Sequence, residues 1–316
     1  MKDTAMDNPT TNEATASLRA HSEAMAAIVD AIGGSTVAVL GRRGTVASGV
    51  VWKSGLVVTA AHVFRRTPAA ATLVAAGGRS LAATLVGIDS ATDLALFRLA
   101  EQEALAPLAA GDAATVRAGH TVVVVGRSGE GDAIASAGIV NRVGGAWQTW
   151  LGGSIDRLIR LDGGVYDGLS GAPVADASGA LIGVATAALS RSYGIVVPAP
   201  TVSRVVDALV GQGRVARPWL GIGAQSVPVQ GAAPGATEQS GLLVTALVAG
   251  GPAERAGLKI GDIIVRAAES AAANLRELRQ ALAAHVGGIV TLGILRGGAP
   301  LDLSAEVGEW PEHRCR

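Results

Sequence analysis

Three residues stand where their side chains suit nucleophilic catalysis. His62, one of five histidines, directly follows an apolar run in LVVTAAH. Asp93 opens the run ATDLALFRL, where its carboxylate is drawn towards an interior and needs polar partners, because unpaired burial costs several kcal/mol, on the order of a lost buried ion pair. Ser170 lies in DGLSGAPV, with Gly168 and Gly171 permitting a tight turn that exposes Oγ and aims backbone N–H groups into a cavity. Each residue alone has an ordinary reading: a surface or core histidine, a turn aspartate, a Gly-Ser turn. Together, in the order His, Asp, Ser, they supply every part of an acyl-transfer site. A serine hydroxyl needs a base. The base needs a third group to fix its tautomer. The developing oxyanion needs backbone donors.

The elements that must position these residues are short. TVAVL (36–40), GVVW (49–52), LVVTA (56–60), ALFRL (95–99), TVVVVG (121–126), LIGVAT (181–186) and GIVVP (194–198) read as strands between glycine-rich turns. That texture predicts an all-β barrel or sandwich, not βα units. The serine-hydrolase alternative with a nucleophile elbow needs G-x-S-x-G and the order Ser, Asp, His on a parallel sheet. GLSGA is one glycine short of that motif, and the order here is the reverse.

Residues 1 to about 16 read as a flexible tail, and 17–32 as a short amphipathic helix with Leu18, Met25, Ile28, Val29 and Ile32 on one face, stopped by Gly33-Gly34. A second helix is predicted over 199–211, with Pro200 in its first turn and Gly211 and Gly213 as the following linker. Residues 217–310 form a separate pattern of strands with a helix at about 274–285. Asn274 and Glu277 are spaced as a capping box there.

The chain has 316 residues, 49% hydrophobic and 16% charged, which excludes disorder over most of it. Lys plus Arg and Asp plus Glu both number 26, with no basic stripe, so neither nucleic acid nor an anionic membrane is an implied partner. The single Cys315 can form neither an intramolecular disulfide nor a structural zinc site, and no H-E-x-x-H or phosphate-binding loop occurs, so no cofactor or metal is expected. The opening MKDTAMDNPTTNEATASLRAHSEAM is polar and lacks a signal-like apolar core. No apolar run approaches the roughly 18 residues of a membrane span. The expected location is cytoplasmic, or periplasmic or cell-envelope if the native chain starts elsewhere.

The stretches SGVVWKSGLVVTAAHV, VGIDSATDLALFRL, LDGGVYDGLSGAPVADASGALIGVATA, YGIVVPAPTV, PWLGIGA and GGPAERAGLKIGDIIV resemble the HtrA/Deg family of trypsin-like serine proteases with PDZ domains. The resemblance implies a mainly β fold: a trypsin-like double β-barrel over 35–213, then a small α+β PDZ domain over 217–310, after an N-terminal tail and helix (1–34). It implies His62 as base, Asp93 as its orienting acid and Ser170 as nucleophile. It places an oxyanion hole at Gly168, Leu169 and Ser170, and a specificity pocket at Val165, Thr186 and Ala187. Their small apolar character suggests cleavage after small aliphatic residues. Trp219, Leu220, Gly221 and Ile222 are similar to a loop that holds a peptide's terminal carboxylate, with the peptide added as a strand along Gly223 to Val227. The implied activity is ATP-independent endoproteolysis of unfolded or exposed polypeptides in protein quality control, in a homo-oligomer that is trimeric by resemblance.

The sequence departs from the family pattern in several places. Leu169 and Ala172 stand where the family usually has G-N-S-G-G. They motivate a second reading, a catalytically weak or inactive peptide-binding or chaperone protein on the same fold. A third reading is an esterase with the same triad. The usual Asn-Gly hairpin after IGDII is replaced by RAAESAA (266–272), and 141–158 shows no obvious basic sensor residue. The N-terminal segment lacks the aromatics common at family trimer contacts.

Overall fold

Runs of Val, Leu and Ile with few polar interruptions become strands buried on both sides. In the computed structural model, which describes residues 9–41, 46–64, 70–101, 105–229 and 239–310, the strand Leu56–Ala60 is buried at all five positions. The period of two sends alternate residues to different cores. Val57 points into a first barrel with Val37, Val39, Val51 and Phe97, while Val58 joins Val50, Leu94 and Leu96 in a second cluster with Val184 and Val197.

The first barrel comprises β1 (Thr36–Leu40), β2 (Val46–Lys53), β3 (Leu56–Ala60), β4 (Ala70–Val74), β5 (Ser80–Asp89) and β6 (Leu94–Leu99), closed in the order β1-β2-β3-β6-β5-β4. The second comprises β7 (Thr121–Arg127), β8 (Ala133–Gly144), β11 (Leu158–Leu161), β12 (Pro173–Asp176), β13 (Leu181–Thr186) and β14 (Ile195–Pro198), in the order β11-β14-β13-β12-β7-β8. The short pair β9 (Trp147–Gln148) and β10 (Ser154–Ile155) brackets the loop between β8 and β11. All the strand pairings in both barrels are antiparallel, and this is the trypsin-like double β-barrel.

Two helices cover this unit. The first, α1, runs from Pro9 to Gly33, so the expected tail up to residue 16 is helical from Pro9 onward; its first eight residues, like Cys315, lie outside the described residues. Met25, Ile28, Val29 and Ile32 pack on Val123, Val125 and Ala175, whereas Leu18, expected on the same face, is 72% exposed. The docked turns nucleate the helix, and extension towards Pro9 then adds one hydrogen bond for each residue fixed. The second helix, α2 (Ala199–Gln212), lays Val202, Val205, Val206 and Leu209 into the cluster that holds Val58. It runs past Gly211 and ends at Gly213, whose φ of 71° lets its N–H reach Leu209 O.

Residues Ala216–Arg316 form a second contact unit with its own core of Leu242, Ile264, Leu278, Leu292 and Ile294. Its elements are β15 (Pro218–Trp219), β16 (Ile222–Val229), β17 (Gln239–Leu247), α3 (Pro252–Arg255), β18 (Ile263–Ala267), β19 (Ser270–Ala271), α4 (Leu275–Leu282), β20 (Ile289–Arg296), β21 (Ala299–Glu306) and β22 (Gly308–Glu309). The main sheet order is β16-β17-β18-β20-β21. The expected cap forms as a variant of the capping box: Glu277 N–H donates to Asn274 Oδ1 at 3.0 Å, and the Glu277 carboxylate accepts from the Asn274 side chain Nδ2 and from the N–H of Ala273, one residue before the cap. The hairpin missing by sequence also forms. Ala267 pairs with Ser270, and Ala268 supplies the positive φ, 50°, that Asn or Gly usually supplies. Arg266 Nη1 donates to Ala268 O at 2.8 Å and helps to offset a cost of roughly 1–2 kcal/mol for that conformation. Among the described residues, no helix is long and apolar enough to cross a membrane.

Candidate active site

β3 ends at Ala60, and the single 3-10 turn Ala61–Val63 carries His62. Asp93 lies in the turn before β6 at φ 60°, a left-handed conformation uncommon for a non-glycine residue. The turn is held at several points. Ala61 N–H donates to Asp93 O at 3.1 Å, and His62 N–H donates to Asp93 Oδ1 at 2.8 Å. Buried Asp89 accepts Thr92 Oγ1 at 2.6 Å and Ala91 N–H at 3.3 Å. From the β9–β10 loop, Thr149 Oγ1 donates to Ala91 O at 2.7 Å while accepting Gly153 N–H.

His62 Nδ1 lies 2.8 Å from Asp93 Oδ2, and Asp93 is 3% exposed. The hydrogen bond to the Asp93 carboxylate raises the His62 pKa above the usual imidazole value, against a smaller opposing effect of burial. Thr186, expected to line a pocket, instead points its hydroxyl at Asp93 Oδ2 and accepts Ala188 N–H at 3.0 Å. At 1% exposure, its side chain faces the carboxylate and not a substrate cavity.

Ser170 lies between β11 and β12. Tyr166 O accepts Leu169 N–H at 3.0 Å, with Gly168 at φ 86°, the pattern of a type II turn that requires glycine at its third position. Leu169 O accepts Ala172 N–H at 3.1 Å, Ser170 O accepts Ser48 N–H at 3.0 Å, and Gly171 N–H donates to Ala185 O at 2.8 Å. From 168 to 172, the amides of Leu169, Gly171 and Ala172 are therefore engaged. Those of Gly168 and Ser170 donate to no group among the described residues. The Ser170 hydroxyl likewise has no hydrogen bond to His62 among the described residues. Catalytic hydrogen bonds are often long in free enzymes and tighten on substrate.

Leu169, where the family pattern is polar, is 2% exposed and packs with Val122, Val124 and Ile159 inside the second barrel. Gly171 is fixed by space: a Cβ there would fall 2.1 Å from Ser48 O on β2. Val165 is half-buried against Gly194, where a Cβ would come within 3.0 Å of Val165 Cγ2. A narrow cleft of about 50 Å³ beside Val165 is lined by Val124, Tyr166 and Leu169 as well, and reaches neither Thr186 nor the exposed Ala187. Of the three expected pocket residues, Val165 alone lines that cleft.

Sequence reasoning missed Ser48, Thr59, Asp89 and Thr149. Ser48 and Thr59 are fully buried hydroxyls inside otherwise apolar strands, and that contrast is the signal that marks them.

In the second unit, Leu220 O accepts Ala253 N–H and Gly221 O accepts Val248 N–H, both carbonyls being turned to the protein body. Gly221 has φ 73°, and Trp219 and Ile222 are half-buried on either side. β16 is an edge strand of the sheet, beside α4.

Comparison with known proteins agrees with this geometry. Residues 47–184 match the trypsin-like peptidase domain, and residues 220–307 match the PDZ domain. Among curated relatives, a probable periplasmic serine endoprotease DegP-like of Bartonella henselae is 34% identical over 265 residues, covering 82% of this chain and 52% of the relative. One from Brucella suis is 39% identical over 223 residues, covering 68% and 42%. The chain spans about half the length of the curated relatives it matches. Among solved structures, HtrA-type protease AlgW with tripeptide superposes at a TM-score of 0.74 with 26% identity, covering 91% of this chain and 97% of that one. A serine endoprotease from Yersinia pestis gives 0.75 with 23% identity, covering 91% and 98%, a likeness of fold.

Fold and site therefore define a trypsin-like peptidase domain joined to a PDZ domain. Over these two domains the chain is similar to DegP-like serine endoproteases and to an HtrA-type protease of known structure.

Proposed function

We propose that this chain is a serine endopeptidase acting on unfolded or exposed polypeptides in protein quality control. One observation carries the reading: the His62–Asp93–Thr186 relay stands in the same unit as a nucleophile loop in which only Gly168 and Ser170, of residues 168–172, keep undonated amides. His62 Nε2 takes the Ser170 proton as Oγ attacks the scissile carbonyl. Asp93 stabilises the resulting imidazolium, and the Gly168 and Ser170 amides receive the oxyanion. Each such donor contributes about 2.7–4 kcal/mol to the barrier reduction. The proton then passes to the leaving amine, and water releases the acyl group from Ser170.

The second unit would recruit a peptide C-terminus at Trp219–Ile222, with the chain added along the β16 edge over Gly223 to Val227. Solved HtrA-type neighbours hold peptides, in accord with that reading. The relatives' names favour the periplasm over the cytoplasm. A homo-oligomer, trimeric by resemblance, belongs to the same proposal and is checked by light scattering.

The second reading, a catalytically weak peptide-binding protein, is motivated by Leu169 and Ala172 in the nucleophile loop. Covalent labelling with a fluorophosphonate probe decides between them. Labelling of the native chain that vanishes in Ser170→Ala supports the peptidase. No labelling of a folded native chain, with or without a C-terminal peptide, supports the second reading.

A further inference from the structure

Ser48 lies on β2 of the first barrel, fully buried, yet two of its hydrogen bonds go to the loop of the second barrel that carries Ser170. Its N–H donates to Ser170 O at 3.0 Å, and its hydroxyl donates to Gly168 O at 2.7 Å. The polarity of the second bond is fixed because the Gly168 carbonyl can only accept, while Ser48 Oγ itself accepts Arg127 N–H at 3.0 Å. The Arg127 N–H occupies a lone pair of the hydroxyl, and its one proton goes to Gly168 O. Ser48 O in turn accepts Thr59 Oγ1 at 2.7 Å.

We propose that Ser48 is a positioning residue for the nucleophile loop, setting the direction of the Gly168 and Ser170 amides from the neighbouring barrel. The proposal rests on the peptidase reading above. Successive peptide planes carry the argument. The Ser170 amide belongs to the plane between Leu169 and Ser170. Ser48 holds the carbonyl of the plane before it, through Oγ, and the carbonyl of the plane after it, through its N–H. The Gly168 amide belongs to the plane preceding the Gly168 carbonyl, and rotation about Gly168 is the remaining freedom between them. Glycine is the residue with least resistance to such rotation. Without the Ser48 hydroxyl, the Gly168 carbonyl loses its partner and the turn can relax to another orientation.

If Ser48 merely satisfied buried polar groups, its loss would lower stability without a particular effect on chemistry. Thr36 provides the comparison: it is equally buried, and its hydroxyl donates to Ile32 O at 3.1 Å, away from Ser170. The test measures kcat, KM, their pH profiles and the fluorophosphonate labelling rate in the full chain, for Ser48→Ala, Ser48→Cys and Thr36→Val. Ser48→Ala is expected to lower kcat and labelling on the order of 10- to 100-fold, less than deleting a donor outright. KM should stay within about twofold, as for an interaction made chiefly in the transition state. The kinetic pKa of His62 should not move, since its contacts with Asp93 are untouched. Ser48→Cys keeps the volume filled and donates weakly; it should show the same split in smaller measure, and it decides the matter if the alanine variant does not fold. Thr36→Val should keep the native kcat. Native kcat in the folded Ser48 variants, or an equal fall in Thr36→Val, overturns the positioning role while leaving the peptidase reading intact. A folded native chain that neither turns over substrate nor labels at Ser170 overturns both.

Discussion

The Thr186 hydroxyl donates to Oδ2 of Asp93, the same carboxylate oxygen that faces His62 Nδ1. Asp93, the proposed orienting acid, is thereby held from β13 of the second barrel, while His62, the proposed base, stands just past the end of β3 in the first. Replacing Thr186 by Val deletes a hydrogen bond to a buried carboxylate. Stability should fall by about 1.5–3 kcal/mol, read by chemical denaturation. Loss of alignment should lower kcat on the order of 10- to 100-fold. Thr186→Ser keeps the donor and should recover most of both; failure to do so would place the effect in packing.

The pH dependence follows from His62, whose pKa is raised mainly by its hydrogen bond to Asp93. The folded state binds the imidazole proton more tightly than the unfolded chain does. The pair therefore contributes stability that is full below the unfolded imidazole pKa and is lost as pH rises through the folded one. Catalysis needs neutral His62, so kcat/KM should rise over the same interval. Asp93→Asn should move the kinetic pKa down and reduce kcat by about 10⁴-fold. A pH–rate profile and thermal melts across that range check both signs.

Restoring the family's polar residue with Leu169→Asn is expected to harm the protein. Leu169 is packed in an apolar cluster with Val122, Val124 and Ile159. An amide there would lack partners, at a cost of about 1–3 kcal/mol beyond the lost apolar contact. The midpoint of denaturation should drop, and labelling of Ser170 should not become faster. Faster labelling would instead mark Leu169 as the cause of a slow enzyme.

For the PDZ unit, Gly221→Val should weaken binding of a peptide with a free C-terminal carboxylate on the order of tenfold or more, since a β-branched residue resists the φ of 73° found there. Fluorescence titration of the full chain checks this. A peptide amidated at its C-terminus should bind the native chain weakly as well. Equal binding of the two peptides would count against the carboxylate loop.

Much of the candidate site was legible in the sequence because LVVTAAH, ATDLALFRL and DGLSGAPV each hold one residue of the proposed triad in a contiguous motif. The spacing of apolar runs indicated only an all-β barrel or sandwich, the double barrel came from the family resemblance, and the cap of α4 was readable in Asn274 and Glu277. The Thr186–Asp93 hydrogen bond was not legible, because β13 is buried at every position of LIGVAT and the sequence shows no polar face to orient the hydroxyl. The start of α1 at Pro9 carries no apolar period, since the docked face begins at Met25. The hairpin at Ala268 rests on a residue type that rarely takes positive φ, and no turn signal announces it. A hydroxyl in an apolar run could have marked Ser48 as a buried polar residue, but the partners of Ser48 and Thr149 lie at long sequence separations, which no local pattern records.

Gly171 touches β2 so closely that no side chain fits between them. The nucleophile therefore rides on one barrel while gauging its distance to the other. A sliding of the barrels by a few tenths of an ångström would leave both cores intact and still misalign the loop. Turnover should then fade well before any loss of fold, on warming, in mild denaturant, or under a load applied across the seam. In such a molecule, catalytic rate is a strain gauge for its own domain.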